Sequence, residues 1–174
     1  GSVKVMVKTL SLFGATGSIG DSVLKLVDEH LSGFSLAVMT AHSNARKLVA
    51  LAHQYQPELV IIANPELEAE VASGLSGTSI QVASGLDALC EAARKPVDCV
   101  IAGMAGFAGL MPVRAAVEAG QIIALANKET LVAAGHLIMP LAKATGARLL
   151  PVDSEHNAIA QCLVGAKDEE IEKI

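Results

Sequence analysis

Aromatic side chains are nearly missing from this sequence, with one Tyr, three Phe and no Trp among 174 residues. Its 52% hydrophobic content therefore rests on Ala, Val, Leu and Ile, which suit helices layered on a sheet buried on both faces. Cysteine is scarce too. Cys90, Cys99 and Cys162 are odd in number and show no CxxC spacing, which argues for reduced packing thiols over a disulfide framework or a zinc site. Basic residues are outnumbered, 13 Lys and Arg against 18 Asp and Glu, and the net charge of −5 gives no footprint for nucleic acid or an anionic membrane. No long apolar run exists. The best stretch, Cys99 to Val113, is interrupted by Gly103, Gly106, Gly109 and Pro112, so no membrane-spanning helix is expected. Lys4 and Lys8 break any apolar core of a secretory signal, which leaves the cytoplasm as the expected location. The length fits one domain, or one and a fraction.

What the chain does have is alternation. Short aliphatic or β-branched runs predict strands at Thr9–Phe13, Ser35–Thr40, Leu59–Ile62, Ser79–Val82, Val97–Ile101, Ile122–Ala126 and Ala147–Leu150. Between them, amphipathic stretches predict helices at Ser18–Leu31, Asn44–Tyr55, Pro65–Ser73, Gly85–Arg94, Pro112–Ala119 and Thr130–Ala144. Gly33, Asn44, Gly120 and Gly146 fall where this scheme needs helix ends or caps. A repeated βα pattern implies parallel strands joined by right-handed crossovers, hence a Rossmann-like, doubly wound α/β sheet.

The first βα turn is rich in glycine. Gly14-Ala15-Thr16-Gly17-Ser18-Ile19-Gly20 follows a strand and opens a helix, the context in which a glycine motif gains meaning. Gly14 suits the tight turn, Gly17 lets a pyrophosphate approach the backbone, and Gly20 allows close helix packing. The spacing is GxxGxxG, and such glycines can also serve the turn alone. After the second strand, Thr40-Ala41-His42-Ser43-Asn44-Ala45-Arg46 contains no carboxylate to accept from a ribose 2′-OH. It offers hydroxyl, amide, imidazole and guanidinium groups suited to a 2′-phosphate, so NADPH is expected over NADH. Ser43 and Asn44 equally suit capping of the next helix.

Two polar clusters follow later strands, where open α/β sheets bind ligands. Asn127-Lys128-Glu129 comes after Ile122–Ala126, and Asp153-Ser154-Glu155-His156-Asn157 after Ala147–Leu150. In an extended segment Asp153 and Glu155 share one side and can offer oxygens to one hard cation. The same acids also suit the N-cap and first turn of a following helix. Lys128 and Ser154 have the chemistry to hold a sugar phosphate beside a metal.

Together, the glycine loop, Ala124-Leu125-Ala126-Asn127-Lys128-Glu129-Thr130-Leu131-Val132 and Leu149-Leu150-Pro151-Val152-Asp153-Ser154-Glu155-His156-Asn157-Ala158-Ile159 closely resemble 1-deoxy-D-xylulose 5-phosphate reductoisomerase. The resemblance runs from about Lys8 to Leu163. It implies an NADP-dependent oxidoreductase of non-mevalonate isoprenoid biosynthesis that needs Mg²⁺, Mn²⁺ or Co²⁺. Such an enzyme rearranges 1-deoxy-D-xylulose 5-phosphate, by retro-aldol cleavage and re-aldol joining, then reduces the aldehyde to 2-C-methyl-D-erythritol 4-phosphate. The family's cofactor contacts fall on Thr16, Gly17, Ser18, Ile19, Asn44, Asn127 and Glu129. Its substrate contacts fall on Lys128, Ser154 and Glu155, its metal ligands on Asp153 and Glu155, and its catalytic roles on Lys128 and Glu155. The segment often written Gly-Lys-Asn in the family reads His42-Ser43-Asn44 here, leaving Arg46 or His42 to meet the 2′-phosphate.

The resemblance also implies a homodimer and a chain more than twice as long, with a third metal carboxylate, a substrate-phosphate site, a lid and a C-terminal helical domain. Residues 1–150 are then expected to form the NADPH-binding domain and 151–174 the start of a catalytic α+β domain. The 174-residue chain alone is expected not to turn over substrate. A short-chain dehydrogenase is excluded, because the Tyr-x-x-x-Lys pair it needs would place Lys at Leu59 after Tyr55. A non-catalytic NADP-binding module or sensor is the alternative.

Overall fold

A computed structural model describes residues 8–29, 33–104, 109–126 and 128–151, the side chains of 128–131, 133 and 134 excepted. Seven strands and six α-helices alternate through it: β1 (Lys8–Phe13), α1 (Ser18–Glu29), β2 (Phe34–Ala41), α2 (Ala45–Tyr55), β3 (Leu59–Ile62), then a 3₁₀ turn (Pro65–Leu67) continuing as α3 (Glu68–Gly74). The series ends with β4 (Gln81–Ser84), α4 (Leu86–Ala93), β5 (Cys99–Ala102), α5 (Leu110–Glu118), β6 (Ile122–Leu125), α6 (Lys128–Thr145) and β7 (Arg148–Pro151). The strands form one sheet in the order β4-β3-β2-β1-β5-β6-β7, every neighbouring pair parallel. The Rossmann-like α/β reading is therefore correct.

The order explains the composition. Strand side chains alternate faces, so Leu10 and Leu12 join one buried cluster with Val23, Val27, Met39 and Ile62, while Phe13 joins another with Val38, Ile61, Val100 and Ile123. Both faces need covering, and aliphatic side chains with few aromatics fill the two thin layers. Each fully buried Leu or Ile contributes about 1.5–3 kcal/mol relative to exposure. In the middle of β1 sits one polar exception, Ser11, fully buried between Val38 and Val100 of the flanking strands.

Ends of elements follow local chemistry. Asn44 caps α2 by accepting from the Lys47 amide at 3.2 Å, and Asn64 accepts from the Glu66 amide at 3.0 Å to start the turn before α3. Gly120 and Gly146, at φ +74° and +80°, end α5 and α6 in the left-handed region. Strand β4 begins two residues later than the run Ser79–Val82 predicts. The Thr78 hydroxyl takes the Ile80 amide at 3.3 Å, so pairing starts only where Gln81 donates to the Glu58 carbonyl at 3.0 Å.

The reading of the cysteines needs one correction. Cys90 is a free thiol, half-buried in α4, and burial pushes its pKa up. Cys99, buried in β5, is disulfide-bonded. Spacing along the chain carries no information about which thiols the fold brings together. No helix among the described residues is long and apolar enough to cross a membrane.

Candidate nucleotide site at the carboxyl edge of the sheet

Chain order reverses at β1, which pairs with β2 on one side and β5 on the other. In open α/β sheets such a switch point opens a crevice beyond the carboxyl ends of the strands. The glycine loop lies there. Gly14 leaves β1 at φ +92°, a conformation that side chains resist. A Cβ at this position would also sit 3.0 Å from the Gly103 carbonyl carbon and 3.2 Å from the Met104 amide. The loop is held from the β2 side by two bonds: the Gly14 amide donates to Thr40 Oγ1 at 3.0 Å, and the Ala15 amide to the Thr40 carbonyl at 2.7 Å.

Three glycines thus do three jobs. Gly20 lets α1 pack on its own entry loop, since a Cβ there would lie 2.0 Å from the Ala15 carbonyl oxygen. Gly17 is exposed, and its nearest neighbour to an added Cβ is the Gly14 carbonyl oxygen at 4.0 Å. That leaves open space above Gly17, where a pyrophosphate can approach the backbone, with Ser18 exposed beside it at the start of α1. Ile19 is partly buried, its Cβ 3.1 Å from where a Gly103 side chain would begin. Shape and donors both fit a dinucleotide phosphate.

At the end of β2, His42, Ser43, Asn44 and Arg46 are all exposed. Their loop runs beside the end of β3, where the Asn64 amide donates to the His42 carbonyl at 3.1 Å. Thr40 must be removed from the groups expected to receive a 2′-phosphate: it is fully buried and its hydroxyl accepts from Gly14. Asn44 performs the capping alternative, with its side-chain oxygen engaged.

Of the other expected site residues, Lys128 and Glu129 open α6 directly after β6, with their side chains outside the described set. Asn127, Asp153, Ser154, Glu155 and His156 lie outside the described residues. Among those described, no group of three His, Cys, Asp or Glu side chains converges on a metal position. A hollow lined by Gln56, Glu58, Gln81 and Lys95 opens at the amino ends of β3 and β4, the edge opposite to ligand binding in such sheets.

Two residues hold the glycine loop from a distance. Thr40 anchors the glycine loop from 26 residues away. Lys47 reaches it from α2, its Nζ donating to the Thr16 carbonyl at 3.0 Å and to Asp21 Oδ1 at 3.1 Å. Neither has a local motif.

The sequence profile of 1-deoxy-D-xylulose 5-phosphate reductoisomerase matches residues 10–135. The chain belongs to this family. The reductoisomerase of Bacteroides thetaiotaomicron is 45% identical over 168 residues, which is 96% of this chain and 43% of that protein. The reductoisomerase from Zymomonas mobilis, solved in complex with NADPH, superposes with a TM-score of 0.83 at 42% identity, covering 90% of this chain and 41% of that one. A reductoisomerase solved with NADPH, fosmidomycin and magnesium gives a TM-score of 0.82 at 42% identity, covering 92% and 40%. The chain therefore spans well under half the length of the reductoisomerases it matches, and its fold is that of the part of them it covers.

Proposed function

We propose that this chain supplies the NADPH-binding part of a 1-deoxy-D-xylulose 5-phosphate reductoisomerase, with residues 1–150 forming that domain and 151–174 the first segment of a catalytic domain. The observation that carries the reading is the glycine loop at the switch point, open above Gly17 and closed around Gly14 and Gly20. Thr16, Gly17, Ser18 and Ile19 hold the pyrophosphate through backbone amides at the start of α1. Asn44 lies at the adenosine side, and Asn127 and Glu129 follow β6 on the other side of the switch point, where the nicotinamide end lies. The acid-free stretch His42 to Arg46 favours NADPH, with the Arg46 guanidinium meeting the 2′-phosphate.

The chemistry belongs to the Asn-Lys-Glu and Asp-Ser-Glu segments. Lys128 neutralises charge on the sugar phosphate, and Ser154 hydrogen-bonds it. Asp153 and Glu155 provide the carboxylate oxygens that a hard divalent cation takes, and such a cation when bound supplies Lewis acidity at the substrate's keto and hydroxyl oxygens. The active form is a cytoplasmic homodimer; Val132 and Met139, 80% and 46% exposed on one face of α6, support a covered surface there.

Amide chemical-shift mapping tests the nucleotide assignment. NADPH added to the isotope-labelled chain should move Gly14 to Ile19 and His42 to Arg46 together. Shifts confined to the hollow around Gln56 and Lys95 would reject it.

A further inference from the structure

Resting on the nucleotide reading above, we propose that Lys47 is a positioning residue for dinucleotide binding, orienting the Thr16–Gly17 peptide so that the Gly17 amide faces the phosphates. Lys47 lies in the first turn of α2, yet its ammonium donates to the Thr16 carbonyl at 3.0 Å, 31 residues away. A peptide unit is planar and trans, so its C=O and N–H point in opposite directions. With the Thr16 oxygen drawn toward α2, the Gly17 N–H is turned away from α2, and Gly17 itself is exposed. Because Gly17 has little intrinsic preference for one backbone orientation, an outside contact is needed to fix it.

The second partner of Lys47 supports a geometric role over direct phosphate reading. Asp21 Oδ1 lies 3.1 Å from the ammonium, with the lysine and aspartate side chains 37% and 63% exposed. An ion pair this exposed adds little stability. It does offset the lysine's charge and holds the ammonium over the loop, which makes Lys47 a poor competitor for a 2′-phosphate. Arg46, one residue earlier and exposed, has no carboxylate partner among the described residues.

The two roles separate by ligand. Calorimetric titration of the 174-residue chain with NADPH and NADH should show K47M weakening both by the same factor, about tenfold. Adenosine 2′-monophosphate, which lacks the pyrophosphate and is followed by NMR, should bind K47M within twofold of the unmodified chain. K47R, which keeps donors to the Thr16 carbonyl, should recover both dinucleotides to within about threefold, and it decides the matter if K47M does not fold. Unchanged dinucleotide affinity in K47M overturns the proposal, as does K47R binding no better than K47M. Loss of NADPH and adenosine 2′-monophosphate with NADH spared also overturns it, since Lys47 would then read the 2′-phosphate. An unmodified chain that binds neither dinucleotide rejects the nucleotide reading itself, and this inference with it.

Discussion

Replacing Gly20 by Ala and Gly17 by Ala should have opposite consequences, although both add one methyl group to the same loop. At Gly20 the new Cβ would lie 2.0 Å from the Ala15 carbonyl oxygen and 2.4 Å from its carbon. Ordinary contact begins near 3.4 Å, and the obstacle is backbone, so no side chain can swing away. Ala is favoured over Gly inside a helix by about 1 kcal/mol. Overpacking costs about 1–3 kcal/mol and more when backbone must move. The clash wins, and G20A should lose about 2–3 kcal/mol, a drop of roughly 4–12 °C in melting temperature for a chain of this size. At Gly17 the nearest atom is 4.0 Å away and φ is not in the left-handed region, so G17A should melt within about 3 °C of the unmodified chain. Its cost should appear in NADPH affinity instead, as a loss of about tenfold, because the methyl group occupies space the pyrophosphate needs. Thermal unfolding by circular dichroism and calorimetric titration on both variants give the two numbers. A G20A chain as stable as its parent, or a G17A chain with unchanged affinity, would refute the reasoning.

Three further outcomes follow from individual contacts. Tyr55 donates to both oxygens of Asp28, at 2.9 and 3.0 Å, and burial, then this bond, then the carboxylate charge push its pKa up to about 12. As the only tyrosine, it can be followed by ultraviolet absorbance: its midpoint should fall toward the ordinary 10.0 in D28N, and its stabilising contribution should be complete below about pH 10 and vanish as pH rises through 12. A midpoint near 10 in the parent chain would exclude the bond in solution. Ser11 Oγ is buried with no hydrogen-bond partner among the described residues, so S11A should be neutral or stabilising by about 1 kcal/mol in urea unfolding. R46A should weaken NADPH about tenfold and NADH less than threefold, whereas equal losses for both would remove Arg46 from the 2′-phosphate.

Elements were legible from the sequence wherever the cause is local. Asn44 announces a helix start because a cap bonds to an amide two or three residues on. Leu59–Ile62 announces a strand because four consecutive aliphatic residues fit burial on both faces. The late start of β4 was hidden, since the Thr78 hydroxyl competes for a single amide without disturbing the hydrophobic pattern. The strand order, and with it the switch point at β1, depends on pairing between distant segments. The same holds within the site. The glycines spell out their loop in seven consecutive residues, but Thr40 and Lys47 act on it across 26 and 31 positions, and ordinary residues carry no mark of such a partner. Thr40 looked like a phosphate donor because its hydroxyl stands near the end of β2; only the fold shows that hydroxyl turned inward onto Gly14.

If residues 1–150 form the NADPH-binding domain of a reductoisomerase, the chain binds the dinucleotide, and calorimetric titration of the purified chain with NADPH and with NADH tests this most directly. One saturable site per chain is expected, with NADPH bound at least tenfold more tightly than NADH. No saturable binding of either nucleotide, from a chain that circular dichroism shows to be folded, would contradict it.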